Sequence, residues 1–265
     1  MRKDILICPV CHAPLIQEGR CLKCSGGKHN FDLSRAGHVN LAGGGYLPVS
    51  GDPPEMVHAR TAFLDTGSYL PLAEAVTARS AGVTIDCGCG DGYYSVLAAR
   101  NCDVLFGFDL SKTAVEHAAK RARAAGIDNT LFSVASVYAL PVGDAVCDTV
   151  LSVFAPCAEA EYFRILRPGG RLILAAAGRD HLAELKAVLY HEVHENTERR
   201  DLPSVLRPVG RETLSYRRTL NPDALHALYL MTPYCRRTAR EAAERLFALP
   251  ELTVTFSFDL SVYER

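Results

Sequence analysis

The first residues able to do chemistry are thiols. Cys8-Pro9-Val10-Cys11 is one C-x-x-C pair, Cys21-Leu22-Lys23-Cys24 is a second, and His29 follows. Thiolates and imidazole at this spacing are zinc donors, because one tight knuckle supplies two ligands and four close a tetrahedron. Five donors compete for four places. Spacing leaves two sets open: Cys8, Cys11, Cys21 and Cys24, or Cys8, Cys11, Cys24 and His29. It slightly favours the four cysteines, and His12 reads as a bystander. With four protein ligands the metal has no open position, so its role is structural. The second group is VTIDCGCGDGYYS, residues 83–95. An apolar run ends in Asp86, then Gly88, Gly90 and Gly92 alternate, and a helical pattern starts at Tyr93. Glycines there let the backbone approach a ligand closely. The G-x-G-x-x-G spacing of nicotinamide folds fails, since Tyr93 stands where the third glycine belongs. Asp109 lies about twenty residues past the loop, where a carboxylate accepts both hydroxyls of a ribose diol.

Positioning these groups requires a framework of alternating elements. Apolar runs at 83–86, 104–110, 130–135, 146–154 and 172–177 read as strands, with helices between them. That alternation predicts a parallel sheet covered on both faces. Residues 111–125 form an amphipathic helix with Ser111 as N-cap. Ligands bind outside the carboxyl ends of such strands. Phe154-Ala155-Pro156-Cys157, after the fourth strand, is therefore placed to face the reacting group. Phe154 reads either as a wall or stacking partner for a target base or as a core aromatic. Leu166-Arg167-Pro168-Gly169-Gly170 is expected to be a sharp turn into the fifth strand. Residues 54–64 read as an entry helix, 65–71 as a loop and 72–79 as a further helix. Residues 214–220 form a strand, and the alternating 251–263 is the antiparallel last strand. His191-Glu192-Val193-His194 invites a metalloprotease reading, but Glu195 stands where H-E-x-x-H needs its second histidine.

Two resemblances give these patterns a chemistry. D-x-G-x-G-x-G, an acid ending the second strand, and L-R-P-G-G before the fifth resemble the class I S-adenosylmethionine methyltransferases. The implied fold is a Rossmann-like α/β domain with a mainly parallel seven-stranded sheet. Cofactor contacts are then expected at Asp86, Gly88, Gly90, Asp91 and Asp109, with Ala135 and Ser136 holding the adenine. The stretch K-H-N-F-D-L at 28–33 and G-H-V-N-L at 37–41, with the cysteine pairs before it, resembles the bacterial 23S ribosomal RNA guanine-N1 methyltransferases. That family implies zinc ligands Cys8, Cys11, Cys24 and His29. It also implies cofactor contacts at Tyr69, in R-x-x-F-L-D-x-G-x-Y, and at His181, in G-x-x-H-L-x-E-L-K. The chain departs from the pattern by one extra residue before His29 and by Cys21. The resemblance implies methylation of N1 of a guanine in a 23S RNA hairpin loop, and a homodimer gripping that hairpin.

Composition bounds the rest. With 265 residues and 48% hydrophobic content, the chain has material for one large core plus an appendage. The expected division is a zinc-binding RNA-recognition module at 1–41, a linker and entry helix at 42–71, and a methyltransferase domain at 72–265. A net charge of −1 excludes a globally basic RNA binder. Local patches remain. Arg2, Lys3, Arg20, Lys23, Lys28 and Arg35 outweigh three acids in the first module, and 196–240 holds nine arginines against four acids, with Tyr216 and Tyr234 among them. Such a mixture suits unstacked RNA bases. The other cysteines (Cys87, Cys89, Cys102, Cys147, Cys157 and Cys235) read as buried small residues. No stretch is long enough to span a membrane and no signal-peptide pattern opens the chain, so a cytoplasmic protein is expected. Two competing classes are a small-molecule methyltransferase, whose zinc module would serve dimerisation, and a non-catalytic RNA-binding protein. The basic patches argue against the first, and the intact Asp86, glycines and Asp109 against the second.

Overall fold

The computed structural model describes residues 5–43, 51–190, 192, 196 and 204–265. Arg2, Lys3 and Asp4 of the first basic patch lie outside the described residues. So do Gly44, Gly45 and Pro48 of the linker, His191, Val193, His194 and Glu195, and Glu198, Arg199, Arg200 and Asp201 of the second patch.

The N-terminal module is a three-stranded antiparallel sheet of β1 (Leu15–Glu18), β2 (Cys21–Cys24) and β3 (Asn30–Asp32). A two-residue strand, β4 (Val39–Asn40), leaves it. Helices α1 (Pro54–Leu64) and α2 (Leu70–Thr77) lead to β5 (Val83–Cys87), α3 (Tyr93–Ala98), β6 (Val104–Asp109), α4 (Lys112–Ala124) and β7 (Thr130–Val134). Next come β8 (Cys147–Val153), α5 (Glu159–Ile165), β9 (Leu166–Ala177) and α6 (Ala183–Leu189). The chain closes with β10 (Arg207–Leu220), α7 (Pro222–Met231), α8 (Arg240–Phe247) and β11 (Leu252–Glu264). Ser111 caps α4 by accepting from Ala114 N–H, as its sequence position predicts.

The main sheet runs β10-β11-β9-β8-β5-β6-β7-β4. Strands β5 to β9 pair in parallel, while β11 and β10 are antiparallel additions. This is the class I methyltransferase sheet with one strand more than the seven expected. The eighth is β4, which pairs in parallel with β7. Leu41 N–H donates to the Val134 carbonyl, and Ser133 Oγ to that of Val39. The zinc module thereby covers a sheet edge that would otherwise be open. It is not a separately cored unit. Ile5, Leu6, Leu15, Leu22, Val39 and Leu41 share one buried cluster with Phe106, Leu131 and Leu140 of the larger domain.

Two elements differ from expectation. Leu166-Arg167-Pro168-Gly169-Gly170 is no loop between helix and strand, because α5 runs straight into β9. The register slips there, with Cys147 opposite Leu166 and Thr149 opposite Arg171, so the glycines bulge out of the ladder. β10 starts at Arg207 rather than Leu214. Its first half is exposed on both faces and held by polar cross-strand pairs, Arg211 and Thr213 to Asp259 and Arg207 to Glu264. Such a strand carries no apolar alternation for a sequence to show. Cys157 and Cys235 are half-buried, unlike the other four core thiols.

Candidate active site and metal centre

Asp86 sits near the carboxyl end of β5 and is 2% exposed. Burial pushes its pKa up to about 7; the 2.5 Å hydrogen bond from Ser95 Oγ opposes that rise and nearby Asp109 adds to it. The chain then turns through Gly88, Gly90 and Gly92, at φ of 81°, 53° and 78°. A Cβ on Gly88 would fall 2.6 Å from the Ala155 methyl, so the loop after β8 lies directly on the glycine turn. Gly90 N–H donates to Asp109 Oδ2 at 3.0 Å and Ser111 N–H to Oδ1 at 2.8 Å. The acid and the loop, twenty residues apart, therefore meet. Burial raises the Asp109 pKa and these two amides oppose it. Ala135 is fully buried and donates its N–H to the Asp109 carbonyl at 3.1 Å, with Ser136 next to it past the end of β7. A bare backbone cradle with a carboxylate at its rim fits the adenosyl group of S-adenosylmethionine.

The chain ahead of α1 crosses this rim. Ser111 Oγ donates to the Asp52 carbonyl at 2.9 Å, and a Cβ on Gly51 would fall 2.3 Å from Ser111 N. Arg60 of α1 pairs with Asp52 at 2.5 Å and brings Nη1 to 3.9 Å from where a Gly90 Cβ would stand. Its only sequence signal was its place at the head of R-x-x-F-L-D. Asp91 is committed elsewhere. It is 1% exposed and accepts from Thr61 Oγ1 at 2.9 Å and Arg121 Nη2 at 2.8 Å. A buried carboxylate needs such partners, and these fasten α1 and α4 to the glycine turn.

On the opposite flank Tyr69 and His181 are buried and joined by a hydrogen bond. Phe256 and Phe258 of β11 pack edge-on against Tyr69, at 5.3 and 4.9 Å between ring centroids. Burial pushes the His181 pKa down to about 3, with Lys186 adding to the fall, so the ring is neutral. Phe154 closes this wall, 6.1 Å from the Tyr69 ring and 5.9 Å from Phe258. Its φ is 54° and it is 44% exposed. The left-handed backbone leaves the ring packed on this wall with part of it outside the core. Tyr94 was missed by sequence reasoning. Its Oη is buried among Tyr69, Tyr93 and Tyr216 and has no hydrogen-bond partner among the described residues. A buried hydroxyl of this kind is costly unless a ligand completes it.

The sulfurs of Cys8, Cys11 and Cys24 and a ring nitrogen of His29 lie within 4.8 Å of one another. Cys11 and Cys24 Sγ are 3.3 Å apart, and His29 turns Nδ1 to Cys8 and Cys11 Sγ at 3.4 and 3.6 Å. A tetrahedron with bonds near 2.3 Å has edges of about 3.8 Å, so the group fits zinc. Cys21 is outside it. Strand alternation turns Leu22 and Cys24 inward, and Cys21 stands on the other face opposite Glu18 and Asp32.

The second basic patch is weaker than its composition. Arg207, Arg211, Arg217 and Arg240 pair with Glu264, Asp259, Glu184 and Glu244. Tyr216 donates its hydroxyl to the Ser68 carbonyl and packs on Phe256, while Tyr234 packs on Tyr190. These contacts anchor both tyrosines in the fold.

Residues 78–217 match the family model described as methyltransferase domain, and residues 6–50 match the RlmA N-terminal zinc ribbon. A Streptomyces fradiae protein named 23S rRNA (guanine(748)-N(1))-methyltransferase is 37% identical over 97% of this chain and 98% of its own. A Bacillus subtilis protein that carries the guanine-N1 name provisionally is 30% identical over 96% of this chain and 95% of its own. Among solved structures, the [4+2]-cyclase SpnF superposes with a TM-score of 0.51 at 15% identity, covering 82% of this chain and 98% of that one. That last likeness speaks for the fold alone.

Proposed function

The chain belongs to the 23S rRNA (guanine-N1-)-methyltransferases, and from that premise we propose which of its residues do what. Its reaction is methyl transfer from S-adenosylmethionine to N1 of a guanine in 23S RNA. The observation that carries this is the near full-length match, which spans zinc ribbon and methyltransferase domain in one chain. The small-molecule and non-catalytic readings have no comparable support.

We assign the cofactor to Asp86, Gly88, Gly90, Asp109, Ala135 and Ser136 on one flank and to Tyr69 and His181 on the other. When bound, it supplies an electrophilic methyl group on a sulfonium. The chain aligns the two reactants and shapes the field around them. Asp109 accepts from the ribose, and the aromatic wall of Tyr69, Phe256 and Phe258 keeps water out. Phe154 offers its exposed face to the guanine. A paired guanine cannot reach that face, so the target is an unpaired base of a hairpin loop. N1 must also lose a proton. Of the acids and bases nearby, Asp52 is held by Arg60, Asp91 by Arg121, and His58 packs on the His117 ring at 5.1 Å. Glu55 is exposed on α1, and none of the four is assigned the proton. Cys8, Cys11, Cys24 and His29 hold a structural zinc. A homodimer around the hairpin and a cytoplasmic site of action complete the reading; no helix among the described residues is long and apolar enough to cross a membrane. Methyl transfer from labelled S-adenosylmethionine to unmethylated 23S RNA, with nucleoside analysis, tests it. The expected product is 1-methylguanosine, and cofactor binding without transfer to RNA would overturn the reading.

A further inference from the structure

The zinc module carries an open surface cavity that methyl transfer does not use. It is a groove of about 550 Å³, lined by residues of β3 and β4, by Val10 of the first cysteine knuckle, by Lys28 and the zinc ligand His29 ahead of β3, and by Gly43. Its walls combine apolar and polar groups. Phe31 is half-buried beside it, and Val10 lines it while 53% exposed. Lys28, Asp32 and Asn40 line it and are exposed. Asn40 is fixed: its Oδ1 accepts from Ala42 N–H at 3.0 Å, which leaves its NH₂ group to donate. Asp32 can only accept while ionised.

The place of this cavity in the sheet gives it meaning. Because β4 runs parallel to β7, Asn40 stands at the carboxyl edge of the sheet. That edge also carries the glycine turn, Asp109 and Ala135. β4 is three strands from β5, roughly 14 Å at ordinary strand spacing. Phe154 follows β8, the next strand beyond β5 on the same edge, so a loop with one base at Phe154 reaches Asn40 by lying along the edge for roughly 19 Å, four strand spacings.

We propose that the cavity is a second nucleotide site, which takes an unpaired RNA base other than the one methylated. Phe31 and Val10 contact the base, Asn40 donates to an acceptor on its edge and Asp32 accepts from a donor. Lys28 meets the adjoining phosphate. An apolar wall with donors and acceptors at a base edge is how proteins read splayed single-stranded RNA. The site rests on the RNA reading above and deepens it: the zinc module holds one loop nucleotide while the catalytic domain works on another.

The test uses the full-length, zinc-loaded protein and a hairpin RNA in which each loop nucleotide in turn is abasic. Lys28→Ala/Asn40→Ala should raise the RNA KM about tenfold and leave kcat, S-adenosylmethionine affinity and zinc content unchanged. Asp32→Ala, which removes the acceptor, should give the same split. One abasic position away from the target should cost the wild type about tenfold and the double variant nothing further. Wild-type RNA affinity and KM in both variants, at full zinc content, would overturn the site and leave the proposed reaction standing. Weakened hairpin binding in the variants, with a wild type that transfers no methyl group, would support the site and overturn the reaction.

Discussion

Tyr69 Oη and His181 Nε2 lie 3.1 Å apart in a buried contact between residues 112 positions apart in the chain. The donor in that bond follows from its neighbour. Ser257 N–H donates to His181 Nδ1 at 3.2 Å. A neutral ring that accepts at Nδ1 carries its proton on Nε2. His181 therefore donates to Tyr69, and the Tyr69 hydroxyl keeps its own proton for a further acceptor. The strand β11, remote in sequence from every motif, sets this arrangement through a backbone amide.

A pH dependence of stability follows. His181 titrates near 6.5 unfolded and near 3 folded. Between those values the unfolded chain binds a proton that the folded one refuses. The His181 contribution is full above about 6.5 and is lost progressively as pH falls toward 3, with a slope approaching about 1.4 kcal/mol per pH unit. Removing it should shift the slope of stability against pH, read by urea unfolding from pH 4.5 to 6.5, toward more negative values in His181→Gln than in the wild type. Equal slopes would mean that the ring is accessible to protons in the fold.

Asp86 has the opposite sign. Its carboxyl titrates near 3.8 unfolded and near 7 folded, so the cofactor-free fold keeps a proton that the unfolded chain loses. Its contribution to stability is present below about 4 and is lost as pH rises through 7. A cationic cofactor favours the ionised acid. S-adenosylmethionine should therefore bind more tightly as pH rises through 7, by up to about tenfold per unit below that value. Calorimetric titrations between pH 6 and 8 should show this in the wild type and a flat profile in Asp86→Asn. A wild-type profile as flat as the variant's would remove Asp86 from the cofactor's surroundings.

The Asp91–Arg121 pair should behave as a structural tie. The Asp91 side chain is 2% exposed, and Arg121 Nη1 also reaches Asp65 at 2.7 Å. Arg121→Met strands a buried carboxylate and should destabilise by about 3–5 kcal/mol. Asp91→Asn/Arg121→Met removes both charges and should recover most of that loss. Urea denaturation of the three proteins measures it; a double variant as weak as the single would assign the loss to packing of the Arg121 stem.

The signals with a short period were legible in the sequence. The strand-turn-helix at Asp86–Tyr93, the twenty-residue step to Asp109 and the cap at Ser111 all depend on local residue types, and local types are what a sequence displays. Long-range partners were not. Asp91 reads as one more acid of a glycine loop until Arg121 and Thr61 are seen to hold it. Val39–Asn40 is too short to declare itself a strand, and only the open edge of β7 makes it one. Tyr94 stands beside Tyr93 in the string, and nothing there tells which of the two hydroxyls is left unpaired.

Zinc ligation gives the last prediction, because sequence spacing and structure differ over it. Spacing slightly favours Cys21, while alternation in β2 turns that residue away from the cluster. Cys21→Ser should therefore keep one zinc per chain, counted by native mass spectrometry, and His29→Ala should lower the zinc affinity. Loss of metal should also reach beyond the module. Cys8 and Cys24 belong to the same buried cluster as Phe106 and Leu131, and β4 is stitched to β7. Chelation should lower the melting temperature of the whole chain in a single transition, since metal affinity and folding are coupled. Two transitions, with the higher one unmoved by chelator, would show that the catalytic core stands without the module. Zinc loss in Cys21→Ser equal to that in His29→Ala would overturn the ligand set.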